Sequence, residues 1–171
     1  HRFYMKHKQR LKQYETRKRL PADTFIQPKG VEIIVIGLGR VGKGAFNALR
    51  TLVDDKLIGL DSDRLRVKQL REMKMNVWYG DGEDADFWEG FDISQIKLIL
   101  LALPSIEDSR NITIQLRNIN YRGKIVAIAR YEDQRQQLLD NGIDSVFNFY
   151  TEAGTGFAEE SLQLIEEQPA R

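Results

Sequence analysis

Residues 31–42 read VEIIVIGLGRVG, an apolar run followed by three glycines in the spacing G-x-G-x-x-G. The run 31–36 is rich in β-branched residues, which predicts a short strand that is buried on both faces. A helix is predicted from about residue 41 to residue 53. The three glycines therefore lie in a turn that leaves a strand and opens a helix.

Each glycine of this turn has a physical role if the turn holds a phosphate. Gly37 permits the tight turn, Gly39 lets the backbone approach a pyrophosphate, and Gly42 lets the helix pack closely. The exposed N–H groups at the helix start would then bind phosphate oxygens. Arg40 would add a positive charge beside them. The alternative is a tight turn without a ligand.

A second predicted strand, residues 57–60, ends in Asp61, which lies 24 positions after Gly37. This spacing is close to the roughly 20 residues expected for the acid that binds ribose hydroxyls in dinucleotide sites. A carboxylate at this position disfavours NADP, whose 2′-phosphate it would repel. The alternative role is a helix cap, because Asp61, Ser62 and Asp63 all precede a helix predicted over residues 63–74. Ser62 or Asp63 could cap that helix and leave Asp61 for the ribose.

The turn Gly80-Asp81-Gly82 follows a third predicted strand, residues 76–79, at the edge where open α/β sheets bind ligands. Adenine would lie near this turn, and Asp81 could accept hydrogen bonds from its amino group. A plain Asp-Gly turn without a ligand is the alternative. Ala102 and Leu103 end a fourth predicted strand, residues 97–103, and could line the same pocket.

The rest of the chain continues the alternation of strands and helices. Strands are predicted over residues 124–129 and 145–149, and helices over residues 83–88, 106–118, 132–140 and 156–167. Asn141 and Gly142 would end the helix 132–140. The sequence therefore predicts an α/β fold, a Rossmann-like doubly wound parallel sheet of about six strands with helices on both faces.

Charge divides the 171 residues into a basic arm and an acidic domain. Residues 1–30 carry nine Lys/Arg and two Asp/Glu, whereas the remainder carries 17 Lys/Arg and 23 Asp/Glu. We expect residues 1–30 to form a partly helical linker arm and residues 31–171 to form the domain. A solvated tail and a juxtamembrane linker both fit the arm, whereas nucleic-acid binding is disfavoured by the acidic domain. The first residue is His1 in place of Met, so we expect a piece of a longer chain.

The residue inventory gives little support to catalysis. There is no cysteine, and the two histidines, His1 and His7, both lie in the arm. Beyond the arm the sequence has no Tyr-x-x-x-Lys, and nowhere does it have a P-loop motif or a cluster with metal-ligand spacing, so we expect neither an enzyme nor a metal site. An NAD-dependent oxidoreductase fragment and an NADH-sensing repressor domain remain as alternatives.

The stretch IVIGLGRVGKGAFNALR and the later LIGLDSDRLRVKQLREMKMNVWYGDGEDADFWEG, between Ile34 and Gly90, resemble the regulator-of-K⁺-conductance domains. These are also called KTN or TrkA N-terminal domains, and the chain is most similar to those of the Kef-type glutathione-regulated K⁺/H⁺ efflux antiporters. The resemblance implies a Rossmann-like regulatory domain on the cytoplasmic side of the inner membrane, joined through the arm to a transmembrane antiporter portion.

The resemblance also implies ligands and an assembly. It implies NAD(H) or AMP, with other adenine nucleotides possible, and a homodimer formed through the region after the fifth strand. It suggests glutathione bound by Asn111 and Arg130. The expected nucleotide-binding residues are Gly37, Leu38, Gly39, Arg40, Val41, Gly42, Asp61, Ser62, Asp63, Gly80, Asp81, Gly82, Ala102 and Leu103.

Overall fold

The structure, a computed structural model, describes residues 27–166. One parallel sheet of six strands runs through the domain in the order β3-β2-β1-β4-β5-β6. This is the order of the doubly wound dinucleotide-binding folds, in which the order of the parallel strands reverses between β1 and β4. The strands are β1 (Ile33–Ile36), β2 (Leu57–Asp61), β3 (Val77–Tyr79), β4 (Leu98–Leu101), β5 (Lys124–Ala129) and β6 (Ser145–Asn148).

In the described residues five helices connect consecutive strands, and a sixth follows the last strand. They are α1 (Arg40–Val53), α2 (Arg64–Glu72), α3 (Ala85–Glu89), α4 (Ile106–Asn118), α5 (Glu132–Asp140) and α6 (Phe149–Glu166), with short 3₁₀ turns at Asp54–Lys56 and Ile93–Gln95. The predicted fold class is confirmed.

The central strand β1 is buried on both faces, and its side chains alternate between two hydrophobic clusters. Ile34 and Ile36 pack in a cluster that contains Trp88 and residues of α4 and α5. Val35 packs in a second cluster with Phe46 of α1 and residues of α2. Since successive strand residues point to opposite faces, helices cover both sides of the sheet.

The face of β4, β5 and β6 on the α1 side carries no helix of its own in the described part of the chain. An apolar groove of about 730 Å³ lies there, lined by residues of α1 and by strand residues such as Val126 and Phe147. Helix α6 has no buried residue, and Phe157 and Leu164 on it are 77% and 69% exposed. The domain thus presents an uncovered apolar sheet face and an unpacked apolar helix.

A polar brace closes the amino-terminal edge of the sheet. The Arg117 guanidinium donates to the carbonyls of Tyr121 and Gly123 at 2.9 and 3.0 Å and forms an ion pair with Asp144 at 3.0 Å. The Asp144 carboxylate also accepts the N–H of Ile125 at 2.8 Å. This network ties α4 to the starts of β5 and β6.

The predicted boundaries hold for α4, β5 and α5, and most others shift by one or two residues. The last helix differs most, because it begins at Phe149 and not at residue 156. Asn148 Oδ1 accepts the N–H of Thr151 at 3.3 Å, which is the pattern of a helix cap. The expected arm, including its helical part, lies outside the described residues except for residues 27–30. Across residues 27–166, we find no helix with the length and apolar character needed to cross a membrane.

Candidate functional site

The turn between β1 and α1 requires glycine at two of its three motif positions. Gly37 has φ 85°, and a Cβ atom there would lie 2.6 Å from Leu103 Cδ2 and 2.8 Å from the Ala102 carbonyl oxygen. A Cβ at Gly42 would overlap the carbonyl oxygen of Gly37. Glycine at both positions therefore lets the turn lie against the end of β4.

Gly39 differs from its neighbours because it faces open space. It is exposed, and a Cβ atom there would meet nothing within 4 Å. It is also the N-terminal cap of α1, and no side chain caps this helix. The N–H groups of the first turn are therefore available to an external acceptor at a position that a ligand can approach.

Asp61 lies at the end of β2, beside the glycine turn, and is only 4% exposed. Its Oδ2 accepts the backbone N–H of Leu38 at 2.7 Å, and its Oδ1 accepts that of Asp63 at 2.8 Å. The Arg66 guanidinium donates to both oxygens, at 3.1 and 3.2 Å. The carboxylate therefore joins the turn, the start of α2 and Arg66.

Asp63, not Asp61, caps α2. Its Oδ1 accepts the N–H groups of Leu65 and Arg66 at 3.0 and 3.1 Å. Ser62 is exposed and lies at the cleft surface. The structure thus excludes the helix-cap role for Asp61, which lines the same cleft.

The turn Gly80-Asp81-Gly82 forms the opposite wall of that cleft. Asp81 Oδ1 accepts the N–H of Glu83 at 2.9 Å, so the side chain shapes its own turn. The Gly82 carbonyl accepts the indole N–H of buried Trp88 at 2.7 Å. A bond in the hydrophobic core therefore holds the wall in place.

Two clefts open at the carboxyl ends of the strands, on either side of the segment from Ala102 to Pro104. The β2-side cleft, about 350 Å³, is lined by residues that include Asp61, Arg66 and Asp81. The β5-side cleft, about 470 Å³, is lined by residues that include Arg40, Val41 and Arg130. Gly39, Ala102, Leu103 and Pro104 border both clefts. Together the clefts occupy the crevice where the strand order reverses.

The structure brings most of the predicted residues to this crevice, with three exceptions. Leu38 is 2% exposed, so its side chain lies in the core and only its N–H reaches Asp61. Gly42 is buried under the turn, and Asp63 caps α2; neither lines a cleft. These three residues support the glycine turn and the start of α2 without lining a cleft.

Asn111 and Arg130 lie in different surroundings. Asn111 Nδ2 donates to Glu83 Oε1 at 2.8 Å, at the edge of the β2-side cleft. Arg130 lines the β5-side cleft, where its backbone N–H donates to Gln134 Oε1 at 3.1 Å. The two side chains do not share a pocket.

Arg66 is a site residue that the sequence interpretation did not include. It follows Asp63 by three positions, so one helical turn returns its side chain toward the end of β2. Helical spacing after the predicted cap is the signal that would have found it. Glu83 and Asp108 also line the β2-side cleft without having been predicted.

The shifted pKa values lie at the other edge of the sheet. Burial raises the pKa of Tyr121 to about 12. For Asp144, burial raises the pKa, but the Ile125 N–H and the charges of Lys124 and Arg117 outweigh it and hold the pKa below its usual value. Within residues 27–166 no group of three or more His, Cys, Asp or Glu side chains could hold a metal ion.

A sheet of this order with a crevice at its strand reversal defines the Rossmann-type nucleotide-binding class of domain. The chain belongs to the TrkA-N domain family, which matches residues 33–149. The resemblance found in the sequence is confirmed.

Two curated relatives are transport proteins. The chain is 25% identical over 156 residues to the putative cation/proton antiporter YbaL of Escherichia coli, covering 91% of this chain and 26% of that protein. It is 26% identical over 135 residues to the glutathione-regulated potassium-efflux system protein KefC of Escherichia coli, covering 79% of this chain and 22% of that protein. The chain thus spans about a quarter of the length of these relatives.

Solved structures share the fold. The NAD(P)-binding domain of an exopolyphosphatase-related protein from Archaeoglobus fulgidus has a TM-score of 0.71 at 18% identity, covering 78% of this chain and 98% of that chain. The Shewanella denitrificans Kef C-terminal domain in an AMP-bound form has a TM-score of 0.64 at 22% identity, covering 78% of this chain and 80% of that chain. The GsuK channel bound to NAD has a TM-score of 0.64 at 18% identity, covering 80% of this chain and 25% of that chain.

Proposed function

We propose that this chain is the adenine-nucleotide-sensing domain of a membrane K⁺ efflux antiporter, on the cytoplasmic side of the inner membrane, and that it regulates transport without catalysis. The observation that carries the proposal is the exposed, uncapped start of α1 at Gly39, next to the Asp61 carboxylate. A phosphate on the helix N–H groups and a ribose on Asp61 would use both features at once.

The two clefts suggest how the ligand lies. A nucleoside monophosphate such as AMP would occupy the β2-side cleft, with its phosphate at Gly39. NAD(H) would continue past Ala102 and Leu103 and place its nicotinamide half in the β5-side cleft. Both ligands have support, because a Kef domain binds AMP and GsuK binds NAD.

The non-enzymatic role rests on the side chains that face the crevice. The ionisable side chains lining it are Arg40, Asp61, Arg66, Asp81, Glu83, Asp108, Arg130 and Tyr150, and no histidine or cysteine is among the described lining residues. The only histidines of the chain are His1 and His7. Hydride or acyl transfer would need a group placed over the reacting atom.

We infer that the domain works as a dimer joined through α6. This helix carries exposed Phe157, Leu162 and Leu164, together with four Glu and no Lys/Arg. The apolar groove beside α1 is the complementary surface we propose: Arg40 and Glu152 are the charged residues in its lining, and the helix that borders it also carries Lys43 and Arg50 and no acid. Nucleotide binding would bias the dimer between two arrangements only through its different affinity for each.

Glutathione receives less support than nucleotide. Asn111 is already hydrogen-bonded to Glu83, and Arg130 lies in the other cleft. A glutathione site that used both side chains would require Asn111 to leave its partner. The proposal therefore rests on the nucleotide.

The test is calorimetric titration of this chain with AMP, NADH, NAD⁺ and ATP, side by side, together with an assay for NADH oxidation. We expect binding of AMP or NADH in the micromolar range and no turnover. Arg130→Ala should weaken the binding of NADH by several-fold and leave the affinity for AMP unchanged. Arg122→Ala, at an exposed position, is the control. Failure of all four nucleotides to bind would contradict the proposal.

A further inference from the structure

We propose that Arg66 is an internal competitor for the ribose site, which sets the nucleotide affinity by occupying Asp61 until the ligand displaces it. The inference rests on the proposed function, since it concerns the same cleft. Its basis is the number of hydrogen bonds that Asp61 already accepts.

The acceptor capacity of Asp61 is fully used in the structure. A carboxylate offers about four lone-pair sites. Asp61 fills them with the N–H groups of Leu38 and Asp63 and with two contacts from Arg66 Nη1. A ribose diol that donates two hydrogen bonds to this carboxylate must therefore replace an existing partner.

Arg66 is the partner that can leave. The N–H groups of Leu38 and Asp63 belong to the glycine turn and to the segment before α2, so the backbone fixes their positions. The Arg66 side chain is 42% exposed and lines the β2-side cleft, whereas Asp61 is 4% exposed. A long, half-exposed side chain can change rotamer without moving the fold.

Asp63 offers the displaced guanidinium a second place to rest. Arg66 Nη2 lies 3.7 Å from Asp63 Oδ2, and the Asp63 side chain is 48% exposed. Arg66 can therefore leave Asp61 and keep an ion pair. When the ligand displaces it, the Arg66 guanidinium exchanges the carboxylate of Asp61 for that of Asp63, and its positive charge stays near the cleft.

The consequence runs against the usual expectation for a basic residue in a nucleotide site. If Arg66 bound the ligand, its removal would weaken the binding of an anion. If Arg66 competes with the ribose, Arg66→Leu should lower the Kd for AMP by about three- to thirtyfold, since a charge-assisted hydrogen bond no longer opposes binding. Asp63→Asn should raise the Kd by several-fold, because the displaced guanidinium loses its second carboxylate.

The control is Arg64→Leu, a substitution on the same helix with the same loss of charge. The Arg64 guanidinium stacks over the Tyr79 ring at 3.9 Å and does not line the β2-side cleft. The difference between the two variants therefore separates competition from the general loss of positive potential. Arg66→Gln serves as a second variant if thermal melting shows that Arg66→Leu does not fold.

A ligand control locates the effect on the ribose. Calorimetry of the wild type, both Arg66 variants and Arg64→Leu with AMP and with 2′,3′-dideoxyadenosine monophosphate should show tighter binding only for the Arg66 variants and only with AMP. Weaker or unchanged AMP binding by the Arg66 variants, with normal binding by the wild type, overturns the inference and leaves the proposed function standing. An equal gain with the dideoxy ligand overturns it too. Absence of AMP binding in every protein overturns the inference, and it contradicts the proposed function as well only if NADH, NAD⁺ and ATP also fail to bind. AMP binding that appears only in the Arg66 variants supports the inference.

Discussion

Leu38 and Asp61 are joined by a 2.7 Å hydrogen bond from the backbone N–H of the glycine turn to the carboxylate that ends the neighbouring strand. The two residues lie 23 positions apart, and both are buried. The acid expected to bind ribose therefore also holds the shape of the turn expected to bind phosphate. A substitution at Asp61 should affect both stability and binding.

We expect Asp61→Ala to weaken AMP binding by about 10- to 100-fold, because one charged hydrogen-bond partner is worth about 1.5–3 kcal/mol. The variant should also lose about 1–3 kcal/mol of unfolding free energy, since the N–H of Leu38 is left without its acceptor in a buried position. Calorimetry and urea unfolding measure the two effects. Asp133→Ala, an exposed acid in the first turn of α5, is the control and should change neither. Normal AMP affinity in Asp61→Ala would assign Asp61 to the turn alone.

A substitution at Gly39 should change nucleotide binding with little effect on stability. Its φ of −65° suits alanine, and a Cβ atom there meets nothing within 4 Å, so Gly39→Ala should melt at nearly the wild-type temperature. The added methyl group occupies the space that a phosphate needs, and AMP affinity should fall by at least about tenfold.

The matched control for this change is Gly90→Ala. Gly90 is exposed at the end of α3, where a Cβ would make only an ordinary contact of 3.9 Å. This variant should bind AMP as the wild type does. If Gly39→Ala also binds AMP normally, the phosphate does not lie at the start of α1.

Trp88→Phe tests whether the core supports the wall of the cleft. The change keeps an aromatic ring and removes the indole N–H that donates to the buried Gly82 carbonyl. We expect a loss of about 1–3 kcal/mol in unfolding free energy and weaker AMP binding, because the Gly80 to Gly82 turn loses its anchor. Trp78→Phe is the control, since its indole N–H bonds to Asn76 in an exposed position that water can replace. Equal effects from the two substitutions would exclude a special role for Trp88.

Asp144 gives the domain a predictable dependence on pH. Its folded pKa is held below the usual value, so the carboxylate stabilises the fold above the unfolded pKa of about 3.9 and loses that contribution as pH falls through the folded pKa. The difference in unfolding free energy between the wild type and Asp144→Asn should be largest near neutral pH and shrink below about pH 4. Urea unfolding from pH 3 to 7 measures it. A difference that is constant across this range would show that the charge of Asp144 does not stabilise the fold.

The sequence predicted the sheet well because short β-branched runs alternate with helical stretches at spacings that only a parallel sheet satisfies. It could not choose between Asp61 and Asp63 as the cap, because both precede α2 and only the backbone direction separates them. It missed Arg66, whose approach to Asp61 depends on a full turn of α2. The predicted start of α6 is also too late in the chain. Gly154 and Gly156 weaken the helical pattern in the sequence, whereas in the structure Asn148 caps a helix that begins before them.

Nucleotide binding at the glycine turn can be observed residue by residue if the backbone amide resonances of the domain are followed by NMR while AMP is added. We predict that the largest shifts occur at the N–H groups of Gly39, Arg40 and Val41, with smaller shifts at Leu38 and Asp63 as the ribose binds to Asp61. Shifts confined to another surface, or no shifts with either AMP or NADH at millimolar concentration, would contradict nucleotide binding at the glycine turn.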